Sequence, residues 1–240
     1  MLDQTTNKGK IIDATMKLAA ERPWSEVTLR EISQSAGLTM ADLKKEVSSK
    51  AHIFGLFTSA VDKAVLAQAG EMDPAQSPRD NLFETIMNRF DAMHPYKAAI
   101  KSILKVPSPD PRLAQRLLSS QSWMLEASGI SSYGPLGGIK TVGLASVYLQ
   151  VARIWLDDDD PDMAKTMAAL DRRLRRGERS IQALDDSCRS LGRLTSLFKC
   201  RKRKKGADTG DDMHTDVSDA PVDSASSPDL GPQPSTSVTS

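Results

Sequence analysis

The stretch Val27-Thr-Leu-Arg-Glu-Ile-Ser-Gln-Ser-Ala-Gly-Leu-Thr39 decides the fold of this 240-residue chain. It predicts two helix starts, at Thr28 and Thr39, and Thr28 is followed three residues later by Glu31, which is the pattern of a capping box. Gly37 can take the left-handed conformation that ends a helix. Two short helices joined by so tight a turn are typical of a helix-turn-helix, whose second helix reads the DNA major groove.

The sequence on either side of this stretch predicts two further helices that share a core with it. The first helix covers about Lys8–Glu21. The fourth helix, about 49–67, begins at Ser49-Lys50 and carries an apolar stripe. Inward-facing side chains are expected at Ile12, Met16, Ala19, Leu29, Ile32, Leu43, Val47, Phe54, Phe57, Val61 and Val65.

These residues, with Leu43 and Ser49-Lys50 in the same order and spacing, resemble the N-terminal domain of TetR-type bacterial repressors. The resemblance reaches from the N-terminus to about residue 65. It implies an all-α fold in which residues 1–50 form a three-helix DNA-binding domain. Residues 51–198 would then form a helical domain for ligand binding and dimerisation, without catalytic activity, metal or cofactor.

The resemblance also implies how the first domain contacts operator DNA. Phosphates would be held at Thr28 and Lys50, the groove would be faced by Thr39, Met40, Lys44 and Lys45, and Arg30 is a further DNA-binding candidate. The recognition helix departs from the family pattern Leu-Tyr-x-His-Phe, because it reads Leu43-Lys-Lys-Glu-Val47. A lysine can neutralise a phosphate, whereas Asp42 and Glu46 place negative charge on the same helix.

Helical patterns with Pro and Gly between them fill the second domain, at about 79–93, 95–105, 111–127, 141–156 and 162–176. In TetR-type proteins this domain encloses a small-molecule pocket, and its last two helices form a four-helix bundle with a partner. The candidates for a pocket that takes a small apolar ligand are Phe90, Trp123 and Tyr148, with Trp123 also a core candidate. The candidates for the homodimer interface are Leu149, Trp155, Met163, Met167 and Leu170, with the core as the other interpretation of Trp155.

A second resemblance favours a different function. Residues 155–174 resemble the C-terminal region of the accessory lipid-binding protein of ubiquinone biosynthesis, which has a TetR-like fold and binds isoprenoid lipid instead of DNA. The chain is therefore either a DNA-binding regulator or a lipid-binding accessory protein on the same fold.

The C-terminal residues differ in composition from the rest. Residues 199–205 are almost entirely basic, while 206–240 carry seven acidic residues and no basic one. The acidic segment has too few large apolar side chains to offset the entropy of ordering, so we predict that it is disordered and that its deletion leaves the melting temperature almost unchanged. The basic run follows an amphipathic helical pattern at 181–198. Either the two together lie on an anionic membrane, or the helix packs on the domain and the basic run serves only solubility.

Other features exclude several classes of protein. The formal net charge of +1 suggests neither nucleic acid nor membrane by itself. The N-terminus lacks the apolar core of a signal peptide, and no apolar run is long enough to span a bilayer, so we expect a cytoplasmic protein. The cysteines, Cys188 and Cys200, lie too far apart on a helix for a disulfide. The Asp157–Asp160 run predicts a solvated helix stop or a start that suits the dipole of the next helix. The histidines His52, His94 and His214 have no metal-ligand spacing.

Overall fold

A computed structural model describes residues 3–69, 75–106, 110–134 and 136–204, with side chains up to residue 184, and every regular element in those ranges is helical. The predicted all-α fold is therefore confirmed. A 3-10 turn at His94–Tyr96 joins the fifth and sixth helices. The helices are α1 (Asn7–Glu21), α2 (Leu29–Ser35), α3 (Met40–Glu46), α4 (Lys50–Ala69), α5 (Pro78–Met93), α6 (Lys97–Leu104), α7 (Pro111–Ala127), α8 (Gly137–Leu156) and α9 (Ala164–Lys204).

The chain divides into two compact units, Met1–Ser190 and Leu191–Ser240. The first unit contains the helix-turn-helix and all helices from α1 to α8. The second unit is described only as helical backbone up to Lys204. The described residues do not include the side chains of the basic run 199–205, for which a membrane contact was one prediction. They also do not include the tail 206–240, which was predicted to be disordered.

Local hydrogen bonds set the helix-turn-helix as the sequence predicts. The Thr28 hydroxyl accepts from the Glu31 amide, and the Glu31 carboxylate accepts from the Thr28 amide at 2.8 Å, which completes the capping box. Thr39 caps α3 by accepting from the Asp42 amide. Gly37 lies at φ +65°, where a residue with a Cβ would be strained.

One continuous apolar core runs through the first unit, from α1 to the start of α9. In the N-terminal part, Ile32 and Leu43 close against α1, and Phe57, Val61 and Val65 carry the core along α4. Farther along, Phe90 stacks on Tyr148 and contacts Trp155, with ring centroids 5.4 Å apart in both pairs. Because α4 belongs to both regions, the packing links the helix-turn-helix directly to the helices behind it.

The structure corrects the sequence interpretation at the start of α9. We expected this helix to begin at Asp162, but it begins at Ala164 after Met163, which adopts a positive φ of 50°. The predicted stop at Asp157–Asp160 is not wholly solvated, because Asp158 is buried and its carboxylate accepts from the amide and hydroxyl of Thr166. One acidic residue of the run thus caps the next helix.

Candidate nucleic-acid interface

The recognition helix α3 buries one face and exposes the other. Leu43 and Val47 anchor it in the core. On the opposite face Met40 is 47% exposed, and Lys44 and Lys45 are exposed as well. A helix of seven residues is unstable alone in water, so this packing and the Thr39 cap hold it in place.

The acidic residues of α3 are accompanied by lysines. The carboxylate of Asp42 lies 3.1 Å from the Lys45 ammonium, and that of Glu46 lies 4.0 Å from the ammonium of Lys8 on α1. The hydrogen bond from Thr39, helped by Lys45, lowers the pKa of Asp42, so this carboxylate stays ionised. None of the ion pairs in the described part of the chain includes Lys44, so the exposed face of α3 retains a free positive charge.

Helix α2 places Arg30 and Thr28 beside the recognition helix. Arg30 is exposed. Thr28 uses its hydroxyl inside the capping box, where it also donates to the Glu31 carboxylate at 2.7 Å. Arg22 forms an ion pair with the same carboxylate at 2.7 Å. The hydrogen bonds from Thr28, then that from Arg22, lower the pKa of Glu31 from 4.5 to about 2.

This shifted carboxyl group makes stability depend on pH. Glu31 has a lower pKa in the folded state than in the unfolded state, so its stabilising contribution is complete above pH 4.5 and is lost as the pH falls through about 2. We expect Glu31→Gln to remove this part of the acid destabilisation, because glutamine can still occupy the capping box without titrating. Urea unfolding between pH 5 and 2 measures the effect. Glu26→Gln, at an exposed glutamate outside the box, is the control and should follow the unmodified protein.

Lys50 lies apart from the exposed face of α3. Its ammonium donates to the backbone carbonyls of Trp24 at 2.6 Å and Val27 at 2.5 Å, and it sits 4.1 Å from the centre of the Trp24 ring. Burial lowers the pKa of Lys50, and Glu31 opposes the shift. This lysine therefore joins the start of α4 to the turn before α2, and its contact with a DNA phosphate stays a prediction.

The predicted ligand-pocket residues separate in the structure. Phe90 and Tyr148 pack together in the core, and their role in a pocket stays a prediction. Trp123 was a core candidate, and that expectation is wrong, because its side chain is 61% exposed. The buried face of α7 is formed by residues 120, 121, 124 and 125, and position 123 falls beside that face. The indole of Trp123 lines a surface groove between α4 and α7 instead.

The predicted dimer-interface residues also separate into two sets. Leu149 on α8 and Met167 on α9 are exposed. The structure corrects Met163 and Leu170, because both are buried inside their own chain. Trp155 is also buried there, which agrees with its other interpretation as a core residue. Helix α8 also exposes Ile139 and Val142, which the sequence did not single out.

Sequence reasoning missed a buried polar cluster behind α4. Arg89 of α5 is 2% exposed and lies 3.0 Å from the Asp62 carboxylate of α4, and it donates to the Ser120 hydroxyl of α7 at 2.6 Å. Its guanidinium lies 4.6 Å from the centre of the Tyr148 ring. Arg89 interrupts the inward stripe of α5 between Ile86 and Phe90, and this interruption was the available signal.

Two kinds of site receive no support from the described residues. No helix among them is long and apolar enough to cross a membrane. The same residues contain no group of three or more histidine, cysteine, aspartate or glutamate side chains arranged to hold a metal ion.

Comparison with solved structures identifies the arrangement, whereas no family model matches the sequence and no curated protein is significantly similar to it. A TetR transcriptional regulator from Nitrosomonas europaea ATCC 19718 is 17% identical, with a TM-score of 0.58 over 71% of this chain and 97% of its own. A TetR transcriptional regulator from Rhodococcus sp. RHA1 is 16% identical, with a TM-score of 0.56 over 73% and 97%. A TetR-family regulator from Streptomyces coelicolor is 15% identical, with a TM-score of 0.52 over 78% and 89%.

At these identities the similarity establishes the fold and assigns no individual residue a role. It extends over the N-terminal helices and the larger helical region together, because nearly the whole length of each solved chain is covered. The chain described here has the fold of the TetR-type transcriptional regulators.

Proposed function

We propose that this protein is a transcriptional regulator that binds operator DNA as a dimer and releases it when a small ligand binds. The observation that carries the proposal is the recognition helix α3, which is capped, anchored by Leu43 and exposed along a face that bears Met40, Lys44 and Lys45. A helix held in this way fits the major groove of DNA, and two copies related by a twofold axis would occupy successive grooves.

The side chains on and beside α3 divide into two kinds of contact. Lys44, Lys45 and Arg30 are exposed cations that suit phosphates or guanine edges. Met40 is an exposed apolar side chain that suits a thymine methyl group. Thr28 and Thr39 support the interface by capping α2 and α3, and Lys50 supports it by holding α4 against the turn at Trp24.

Exposed apolar surface on the last helices supports the dimer. A groove of about 930 Å³ lies between α8 and the first part of α9, with Leu144, Val147 and Leu174 among its lining residues. On α8, the side chain of Ile139 is 50% exposed and that of Val142 is 58% exposed. Large apolar side chains exposed on neighbouring helices are what an interaction surface of a soluble protein presents.

The dimer has a direct test. We expect light scattering at micromolar concentration to give twice the chain mass of 26.1 kDa. Leu149→Asp with Met167→Asp should reduce the mass to that of a monomer, because each change would bury an unpaired carboxylate in the interface. The matched control is Leu104→Asp, at an exposed leucine of α6, which should leave the dimer intact. A monomer mass for the unmodified protein would contradict the dimer.

A lipid-binding protein with this fold is the second candidate. The α8–α9 groove favours lipid binding, because apolar lining residues occur there together with the exposed cations Arg172 and Arg176. Such a groove would suit an apolar molecule with an anionic head group. In this second function the exposed lysines of α3 would have no sequence-specific partner.

One experiment separates the two candidates. Fluorescence anisotropy measures binding of the purified full chain to its own upstream DNA and to a scrambled duplex, at physiological salt and at higher salt. We expect a specific complex that weakens steeply as salt rises, because lysines that bind phosphates displace counterions. Weak binding that ignores sequence, with a lipid co-purifying from cells, would support the second candidate and contradict the first.

A further inference from the structure

A second groove of about 440 Å³ lies on the outer surface of α4 and α7, away from the α8–α9 groove. Its size is within the range of pockets that hold small molecules. Helix α4 contributes Ser59, Asp62 and Lys63 to its lining, and α7 contributes Arg116, Ser120 and Trp123. The groove therefore combines an aromatic surface, two cations, a carboxylate and hydroxyl groups.

The inner end of this α4–α7 groove is held by a buried ion pair. Arg89 donates to Ser120 at 2.6 Å and lies 3.0 Å from the Asp62 carboxylate, and both of these partners line the groove. Burial raises the pKa of Asp62 in spite of Arg89. Because Arg89 holds the Asp62 carboxylate and the Ser120 hydroxyl in place, these two groups can select a ligand by geometry.

The outer rim of the groove is electropositive. Arg116 lies across α4 at Gly55, where an added Cβ would come within 3.0 Å of the arginine Cδ. Lys63 is exposed on the same rim. Burial chiefly, and then Arg116 and Arg112, lower the pKa of the nearby His52.

We propose that the α4–α7 groove binds a planar aromatic molecule with one anionic group and one hydroxyl group, and that this molecule is the effector of the regulator. Its ring would stack on the exposed indole of Trp123. Its anionic group would pair with Lys63 and Arg116, and its hydroxyl group would hydrogen-bond to Asp62 or Ser120.

The effector role rests on the proposed function, and α4 supplies the connection. Lys50 at the start of α4 holds the carbonyls of Trp24 and Val27, which precede the helix-turn-helix. A ligand wedged between α4 and α7 favours one position of α4, and through Lys50 one position of the recognition helix. A ligand shifts the DNA affinity only by its differential affinity for the two arrangements.

The ligand site is tested without DNA by calorimetry on the full chain. The probes are 4-hydroxybenzoate, salicylate and 1-hydroxy-2-naphthoate, and the uncharged comparison is 4-hydroxybenzyl alcohol. We expect saturable binding of at least one acid, with the alcohol bound about tenfold more weakly because it lacks the charge-assisted hydrogen bonds. Trp123→Ala, and Lys63→Ala with Arg116→Ala, should each weaken binding about tenfold or more. Tyr133→Ala, at a 79% exposed tyrosine outside the groove, should not.

Two further measurements locate the bound ligand and test its effect on DNA binding. An acid bound at this rim should raise the pKa of His52, measured by NMR titration in a chain with three histidines. The bound acid should also weaken operator binding, and Trp123→Ala should remove this response while its ligand-free DNA affinity stays unchanged.

No saturable binding of any acid, or binding indifferent to Trp123, would overturn the site. Binding that leaves DNA affinity unchanged would overturn the effector role, while failure of the ligand-free protein to bind DNA would count against the proposed function alone.

Discussion

Replacing Lys44 and Lys45 together by alanine should abolish specific DNA binding at physiological salt. Both lysines are exposed on α3, and Lys44 takes part in no ion pair of the described region. The slope of log K against log salt is negative, and each phosphate contact contributes about 0.9 to its magnitude. A dimer would lose the contacts of two lysines in each protomer, so the magnitude of the slope should fall by about 3.6. Anisotropy titrations over a range of salt concentrations measure both the affinity and the slope.

The control for this variant removes the same charge elsewhere. Lys105→Ala with Lys165→Ala changes two exposed lysines, one just after α6 and one on α9, and it should leave the slope nearly as in the unmodified protein. Folding should survive in both variants, because exposed substitutions usually change stability by about 0.5 kcal/mol or less. An unchanged slope in the Lys44 and Lys45 variant would show that α3 does not face phosphates.

Replacing Arg89 by methionine should produce the largest loss of stability. The Arg89 side chain is almost completely buried, and its guanidinium faces the carboxylate of Asp62. Removing one partner of a buried ion pair leaves the other charge uncompensated, at a cost of about 3–5 kcal/mol. Urea unfolding at pH 7 measures the loss. The double variant Arg89→Met with Asp62→Leu should recover most of it, because neither charge is then left buried.

The penalty in the Arg89→Met variant should also depend on pH. Burial already raises the pKa of Asp62 above 3.8, and loss of the arginine removes the main influence that lowers it. A carboxyl group with a raised folded-state pKa destabilises the protein when it is ionised, and the effect is relieved as the pH falls through that pKa. The variant should therefore approach the unmodified protein in stability between pH 7 and pH 4. A penalty independent of pH would mean that lost packing, and not the charge of Asp62, causes it.

The sequence by itself determined the helix-turn-helix and most helix limits, because these depend on contacts between residues close in the chain. Thr28 and Glu31 complete their capping box within one turn, and Gly37 ends α2 through its own backbone conformation. The predicted helices at 79–93 and 111–127 agree with α5 and α7 to within one residue. At the start of each of these helices a proline has the backbone φ that a helix needs, and the residue before it, Ser77 or Asp110, accepts from a nearby backbone amide.

Only the tertiary structure decided which exposed-looking residues are buried and which charges are paired. Arg89 is buried because Asp62 and Ser120, from two other helices, lie within hydrogen-bonding distance of its guanidinium. The contact of Lys50 with the carbonyls of Trp24 and Val27 likewise joins residues more than twenty positions apart, and no local pattern indicates it. Periodicity gives the face of a helix, but burial and charge pairing depend on what other helices bring to that face, and those partners lie tens of residues away in the chain.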